Sequence, residues 1–190
     1  MEGISEGVRR RMISDDLRAL FEASIEERVN RYMEVSRQGI IPNHHFAAAS
    51  TQCIELYRDG YFLSTVMVTQ AVAEAIRRFV AERNKIKCKE DADGPKIVAL
   101  LVQSNIISNE CADAFNRIWR SFRNDVHHMS PKVAEIPFPA LAKRNIEDLA
   151  AIEREIFAFE VQNRGIIPRN PKYWDSGPDG KIGCFLRLGP

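Results

Sequence analysis

Residues 116–128 combine arginines, asparagines and histidines, side chains that bind phosphate groups or exchange protons near neutral pH. On a helical wheel with about 100° per residue, these polar side chains lie opposite an apolar stripe. The stripe is formed by Phe115, Ile118, Trp119, Phe122 and Val126. The polar set consists of Asn116, Arg117, Arg120, Arg123, Asn124, His127 and His128. This pattern predicts a local positive stripe on one helix, and a merely solvated helix face is the simpler alternative.

The overall composition is that of an ordinary globular protein. The chain has 190 residues, of which 45% are hydrophobic and 28% charged, with a formal net charge of +1. This balance predicts one soluble domain, excludes disorder for most of the chain, and requires any surface that binds nucleic acid to be local. No stretch approaches the roughly 20 apolar residues that span a bilayer, and no signal-peptide core is present, so we expect a cytoplasmic protein with no membrane partner.

No pattern in the sequence indicates a metal ion or an organic cofactor. The cysteines are scattered without Cys-x-x-Cys spacing, at Cys53, Cys88, Cys111 and Cys184. We therefore expect reduced, mostly buried thiols and neither a zinc site nor a disulfide framework. His44 and His45 could in principle join His127 and His128 at a metal, but no carboxylate or cysteine pattern accompanies them. We expect His44 and His45 to be capping or surface residues.

Apolar residues that recur every three or four positions predict about six amphipathic helices, and hence an all-α helical bundle. Their expected ranges are 15–37, 43–58, 61–85, 94–104, 108–130 and 139–162. The fifth helix carries the polar set described above, and Pro131 should end it. No strand is predicted between the six helices.

The sequence Gly-Ile-Ile-Pro occurs twice, at Gly39–Pro42 and at Gly165–Pro168, each time directly after a predicted helix. Glycine past the last turn followed by proline is typical of a helix stop, and we interpret both copies in this way. From residue 164 the composition changes to Pro, Gly and Asn, which predicts either a short β-hairpin around residues 178–180 or a tail that wraps the bundle. The expected organisation is a helical domain over 1–163 and a tail over 164–190.

The hexapeptide Arg123-Asn124-Asp125-Val126-His127-His128, late in a long helix of an all-α chain, resembles the R-x4-H signature of the HEPN superfamily (higher eukaryotes and prokaryotes nucleotide-binding). Three further features are similar to the layout of that family: the stretch 57–61 before a long helix, the short helix with Leu100 and Leu101, and the turn at 106–108. The resemblance covers about residues 43–160.

This resemblance implies a metal-independent endoribonuclease that acts as a toxin, in phage defence or in RNA processing, with its site formed where two motif helices meet in a homodimer. It implies that Arg123 stabilises the phosphate, that His128 is the acid/base, and that Asn124 orients either of them. The residue types suit the chemistry. A 2′-hydroxyl that attacks its neighbouring phosphate needs a base near neutral pH and a cation for the developing charge. Arg117 and Arg120 would bind RNA.

Several alternatives remain open at the level of sequence. On a straight helix His127 lies within about 40° of Arg123, whereas His128 is about 140° away, so His127 is a rival acid/base. Arg120, separated from His127 by six residues, offers another spacing allowed in the family. Ser130 stands where members paired with a nucleotidyltransferase antitoxin often have tyrosine, so regulation there is not supported, although an antitoxin partner remains possible. The alternative function is a non-catalytic module that binds RNA or a nucleotide, or serves only in dimerisation.

Overall fold

The apolar periodicity of the chain produces a helical bundle. The computed structural model describes residues 5–86, 94–162, 165–175, 177 and 181–187. Within these ranges the α-helices are α1 (Glu6–Met33), α2 (Ala47–Arg58), α3 (Phe62–Arg83), α4 (Gly94–Gln103), α5 (Asn109–Trp119), α6 (Arg123–His127) and α7 (Phe138–Ile156). The predicted all-α bundle is confirmed, with two small pairs of strands added to it. None of these helices is long and apolar enough to cross a membrane.

Helix α3 is the central element, as its long apolar period predicts. It packs against α2, α4, α5 and α7. Its buried face includes Val72, Ile76, Phe79 and Val80, which recur at intervals of three and four positions, as expected of one side of a helix in a core. The predicted bounds of the second, third and fourth helices agree with α2, α3 and α4 to within a few residues.

Helix α1 forms, but it begins nine residues earlier and ends four residues earlier than the predicted range 15–37, and it does not enter the core. None of its residues is buried, and Leu20 is 68% exposed. Only its C-terminal end is attached to the bundle, where Arg31 Nε donates to the carbonyl of Arg58 at 2.8 Å and Arg28 pairs with Asp59 at 2.9 Å. The apolar period of this segment therefore predicted a helix correctly. The expectation that its apolar side is buried within this chain is wrong.

Both Gly-Ile-Ile-Pro segments contribute strands, so their interpretation as helix stops is wrong. Strand β1 (Ile40–Pro42) pairs antiparallel with β4 (Cys184–Leu186), with Ile41 opposite Phe185. Strand β2 (Phe159–Gln162) pairs antiparallel with β3 (Gly165–Pro168). The backbone groups of these segments are satisfied by a partner strand rather than by a helix end.

The predicted sixth helix is too long at its C-terminal end. Helix α7 stops at Ile156, because the next residue, Phe157, is fully buried between the rings of Phe46 and Phe79 and its backbone leaves the helix there. The segment that follows alternates Phe159 and Val161 with polar residues, the period of a strand, and it becomes β2. The prediction extended the helix through residues 157–162 because the helical period of the preceding residues is much longer than the four-residue strand pattern.

The C-terminal tail packs onto the bundle. Tyr173 and Trp174 are buried, and Arg187 is held in the interior by Glu153 of α7. The two guanidinium Nη atoms of Arg187 lie 2.6 and 2.7 Å from the two carboxylate oxygens of Glu153. The described part of the tail corresponds to the second predicted form, a tail that wraps the bundle. The turn of the alternative hairpin, residues 178–180, lies outside the described residues.

Candidate functional site

The helix that carries the candidate residues is broken, contrary to the prediction of one helix over 108–130. Helix α5 ends at Trp119 and α6 begins at Arg123. Between them Phe122 adopts a left-handed conformation, with φ 55° and ψ 32°. L-residues with bulky side chains rarely adopt this conformation, which costs roughly 1–2 kcal/mol. The two helical pieces therefore meet at a corner rather than continuing one wheel.

A buried cluster of polar side chains holds this corner. The Ser121 hydroxyl donates to the carbonyl of Ile118 at 2.5 Å. The Gln70 amide from α3 donates to both the carbonyl and the hydroxyl of Ser121, at 2.8 Å each. Asn145 from α7 donates to the same hydroxyl at 3.2 Å. Side chains from two other helices thus satisfy groups that the break would leave unpaired in the interior.

The break changes which residues lie in the core. Val126 is fully buried as predicted, but Phe122 is 44% exposed, so its assignment to the apolar stripe is wrong. The wheel failed here because it assumed a constant 100° step through residues 120–122. Beyond the corner, α6 starts on a new axis and turns Val126, rather than Phe122, into the core.

Arg123 is held in place by two contacts. Its Nη2 atom lies 2.6 Å from a carboxylate oxygen of Glu74 on α3, and its guanidinium carbon lies 4.4 Å from the ring centroid of Trp119. About a third of the side chain, 31%, is exposed. Arg123 therefore presents a fixed guanidinium at the surface, with one edge turned to protein and the remainder available to a ligand.

Glu74 is ionised and shared between arginines. Arg78 donates to it at 3.0 Å, in addition to the contact from Arg123. Partial burial opposes ionisation of this carboxyl, but the hydrogen bonds and charges of Arg123 and Arg78 outweigh it and hold the pKa of Glu74 below its usual value. Glu74 is a residue of the candidate site that the sequence reasoning missed. The only local signal was an acid next to Arg77 and Arg78 in a helix of strong apolar period.

Trp119, the other contact of Arg123, is fixed by the packing of α4. A Cβ atom at Gly94 would come within 2.6 Å of the Trp119 ring, so the indole lies directly on the backbone where α4 begins. The absence of a side chain at position 94 allows this approach. The wall behind Arg123 is thus built from α3, α4 and α5 together.

The remaining candidate residues lie on the surface around this corner. Arg120, Asn124, His127 and His128 are exposed. A surface cleft of about 310 Å³ at the corner is lined by Trp119, Arg120, Phe122, Arg123, Asn124 and Asp125. The break thus brings three of the basic and amide side chains, one carboxylate and two aromatic rings to one place.

The structure does not bring Arg123 and the histidines into contact. Among the described residues, no hydrogen bond, ion pair or ring contact joins Arg123 to His127 or His128, and neither histidine lines the cleft. His127 closes α6, and the backbone amide of His128 donates to the carbonyl of Asn124 at 3.0 Å. The choice between the two histidines as acid/base therefore remains a prediction.

Arg117, predicted to bind RNA, is engaged within the bundle. It makes a two-pronged contact with Asp148 of α7, with an Nη2–Oδ1 distance of 2.7 Å. The hydrogen bond to Asp148 raises the pKa of the Arg117 guanidinium. Half of the side chain is exposed, so a phosphate could approach it only alongside this carboxylate.

The other candidate side chains, His44 and Cys111, are buried in the bundle. The imidazole of His44 is buried against Phe79, with 4.3 Å between ring centroids, and its Nε2 lies 2.9 Å from the carbonyl of Tyr173, so its expected capping or surface role is wrong. Cys111 is buried, as expected, and burial raises the pKa of its thiol. No group of three or more potential metal ligands occurs in the described ranges.

A comparison of this chain with protein-family models finds no match, and neither does a comparison with curated proteins or with solved structures. The resemblance to HEPN proteins consequently rests on the residues 123–128 and on the order of the helices around them. It stays a prediction, and so do the roles that it implies.

Proposed function

We propose that this chain is a metal-independent endoribonuclease whose site lies at the corner between α5 and α6. The observation that carries the proposal is the arrangement around Arg123. A guanidinium fixed by Glu74 and Trp119 is exposed on one side, and Arg120 and Asn124 line the same cleft. His127 and His128 are exposed at the end of α6. The cleft is lined by two arginines, Arg120 and Arg123, and by one acid, Asp125, so its lining carries a positive formal charge.

The proposed reaction uses residues of this surface alone. A histidine removes the proton of the RNA 2′-hydroxyl, and the resulting oxygen attacks the adjacent phosphorus. The bond to the 5′-oxygen breaks, that oxygen receives a proton from the protonated histidine, and a 2′,3′-cyclic phosphate remains. Arg123 stabilises the charge on the phosphoryl oxygens, and Asn124 orients the phosphate or the histidine.

The proposal includes a homodimer in which two α5–α6 corners meet. It is motivated by the lack of contact between Arg123 and either histidine within one copy, because a histidine from the second copy could complete the site. A protein of this kind would act on cytoplasmic RNA, as a toxin or in phage defence, and an antitoxin could be its partner.

A non-catalytic RNA-binding module is the alternative, and one observation favours it. Glu74 occupies part of Arg123 and cancels much of its charge at the distance of a direct ion pair, 2.6 Å. An arginine that already has a carboxylate partner stabilises a transition state less than one that is fully available. Under this alternative Arg120 and Arg123 contribute to affinity, and the histidines contribute little.

The test is a cleavage assay with end-labelled single-stranded RNA in EDTA, followed by analysis of the product ends. We expect wild type to leave 2′,3′-cyclic phosphates, Arg123→Ala to be inactive, and His128→Ala to lose at least about 100-fold in rate. Activity that survives in His128→Ala and disappears in His127→Ala would assign the acid/base to His127.

Two exposed residues away from the corner serve as matched controls. Arg10→Ala removes a positive charge from α1, and His45→Ala removes an exposed imidazole; both should cleave like wild type. If wild type does not cleave RNA but binds it through Arg120 and Arg123, the binding module is correct. If neither cleavage nor salt-dependent binding is seen, both proposals are wrong.

A further inference from the structure

Phe122 occupies a position that neither its backbone nor its packing explains. Its φ of 55° lies in the left-handed region, where glycine and asparagine are accommodated at much lower cost than phenylalanine. It is 44% exposed, and no aromatic ring contact among the described residues involves it. Asparagine would adopt this backbone at lower cost and would expose no apolar ring. A residue that is unfavourable on both counts indicates a role in binding.

The surroundings of Phe122 favour one kind of ligand. Its polar neighbours along the cleft are Arg120, Arg123, Asn124 and one acid, Asp125, around a volume of about 310 Å³. An exposed aromatic face beside guanidinium groups is the arrangement by which proteins bind unpaired nucleotides, the ring stacking on a base and the cations binding the backbone phosphates. A base inside a duplex cannot offer its face to such a ring.

We propose that Phe122 is the platform on which an unpaired base of single-stranded RNA stacks, next to the phosphate that Arg123 binds. The inference rests on the proposed function, because it assigns the base side of the same site. Trp119 lies behind Arg123 and packs on Gly94, so it fixes the arginine, whereas Phe122 is the ring that remains accessible. Phe122 then selects unpaired over paired RNA, and it takes no part in proton transfer.

The experiment measures binding of a fluorescein-labelled 2′-O-methyl oligoadenylate, which cannot be cleaved because it has no free 2′-hydroxyl. Phe122→Asn should weaken binding roughly 5- to 150-fold, the loss typical of one stacked base. Its salt dependence should equal that of wild type, because stacking releases no counterions. Arg123→Ala should instead lower the slope of log affinity against log salt by about one. Phe122→Trp should retain affinity.

A second measurement separates this role from a structural one. Because asparagine suits the left-handed backbone, Phe122→Asn should unfold at the same temperature as wild type or higher, while its affinity falls. The loss of affinity should vanish on an oligomer whose bases have been removed, and a hairpin duplex should bind without dependence on Phe122.

Three results would overturn the inference. They are an affinity of Phe122→Asn within twofold of wild type, an equal loss on the abasic oligomer, and a change of solution mass that makes Phe122 a contact between two copies. In the first two cases persistent binding that depends on salt and on Arg123 would leave the proposed function intact. If wild type does not bind RNA at all, the proposed function itself fails.

Discussion

At the scale of single residues, Glu74 decides how Arg123 behaves. It is the one acid that contacts Arg123 in the described ranges, and it also accepts hydrogen bonds from Arg78. Its position therefore couples the candidate site to the stability of α3. The pair holds the guanidinium in one orientation, which reduces the entropy lost when a phosphate binds, but it also competes with that phosphate for the same cation.

The lowered pKa of Glu74 leads to a prediction about acid stability. A carboxyl whose pKa is lower in the folded state stabilises the protein at pH values above the unfolded pKa of about 4.3, and this contribution is lost as the pH falls through the folded pKa. We expect Glu74→Gln to cost about 1–3 kcal/mol at pH 7. We also expect it to lose less stability than wild type between about pH 5 and pH 3.

Urea unfolding at neutral and acid pH measures both quantities. Glu22→Gln, an exposed position on α1, is the matched control and should follow the wild-type curve. Glu34 and Asp59 also have lowered pKa values, through hydrogen bonds from Lys143 and from Arg58 respectively, so some acid sensitivity should remain. A Glu74→Gln variant that loses stability in acid as fully as wild type would contradict the assignment.

At the residue scale the sequence was sufficient to identify Arg120, Arg123, Asn124 and the two histidines as an exposed basic group. Their types and spacing are local information. The sequence was not sufficient to pair Arg123 with Glu74, because that contact joins two helices far apart along the chain. The assignment of Phe122 to the core is also wrong, because the helical wheel assumes a regular helix through residues 120–122, where the chain turns a corner.

At the scale of elements, the corner between α5 and α6 depends on groups from other helices. Neither glycine nor proline occurs between Trp119 and Arg123, so the local sequence has no helix-breaking signal. Gln70 and Asn145 instead donate hydrogen bonds to Ser121, so the groups of this residue keep partners where the backbone bends. Helices α2 to α4 were predictable because their apolar period is local information. The corner was not predictable, because it depends on contacts with residues far away in the sequence.

We predict that Gln70→Leu destabilises the protein by about 1–3 kcal/mol, because the carbonyl and the hydroxyl of Ser121 lose the amide that donates to both in the interior. The substitution keeps the side chain close in size, so loss of volume contributes little. The measurement is the urea midpoint at a constant m value.

Gln52→Leu makes the same chemical change on the exposed side of α2 and should shift stability by no more than about 0.5 kcal/mol. Because Gln70 supports the corner, the variant should also weaken RNA binding if the proposed site is correct. Equal stabilities of Gln70→Leu and Gln52→Leu would show that the buried amide does not hold the corner.

At the scale of the whole molecule, the two ends of the chain are attached in opposite ways. Helix α1 lies outside the core with its large apolar side chains exposed, namely Val8, Met12, Ile13, Leu17, Leu20, Phe21, Ile25, Val29 and Met33. Apolar surfaces of this extent are uncommon on monomeric proteins. The C-terminal tail, whose composition predicted loops and turns, is instead joined to the interior by a strand pair and by Arg187.

The ion pair between Arg187 and Glu153 shows why the tail was hard to predict. Both side chains are almost fully buried, and the Ser50 hydroxyl joins them, with Arg187 Nη2 donating to it at 2.5 Å. An arginine is ordinarily expected at the surface. Only the fold brings Arg187 beside Glu153 of α7. The periodicity of α7 indicates that position 153 is polar, but it does not indicate which residue pairs with it.

We predict that Arg187→Leu lowers the free energy of unfolding by about 3–5 kcal/mol, because Glu153 would remain as a buried charge without a partner. The double variant Arg187→Leu with Glu153→Leu should recover much of this loss, since no charge is then left in the interior. Urea unfolding of wild type, both single variants and the double variant forms a complete cycle. If the two single losses simply add in the double variant, the two side chains are not coupled, and the tail is held by the β1–β4 pairing and its aromatic residues instead.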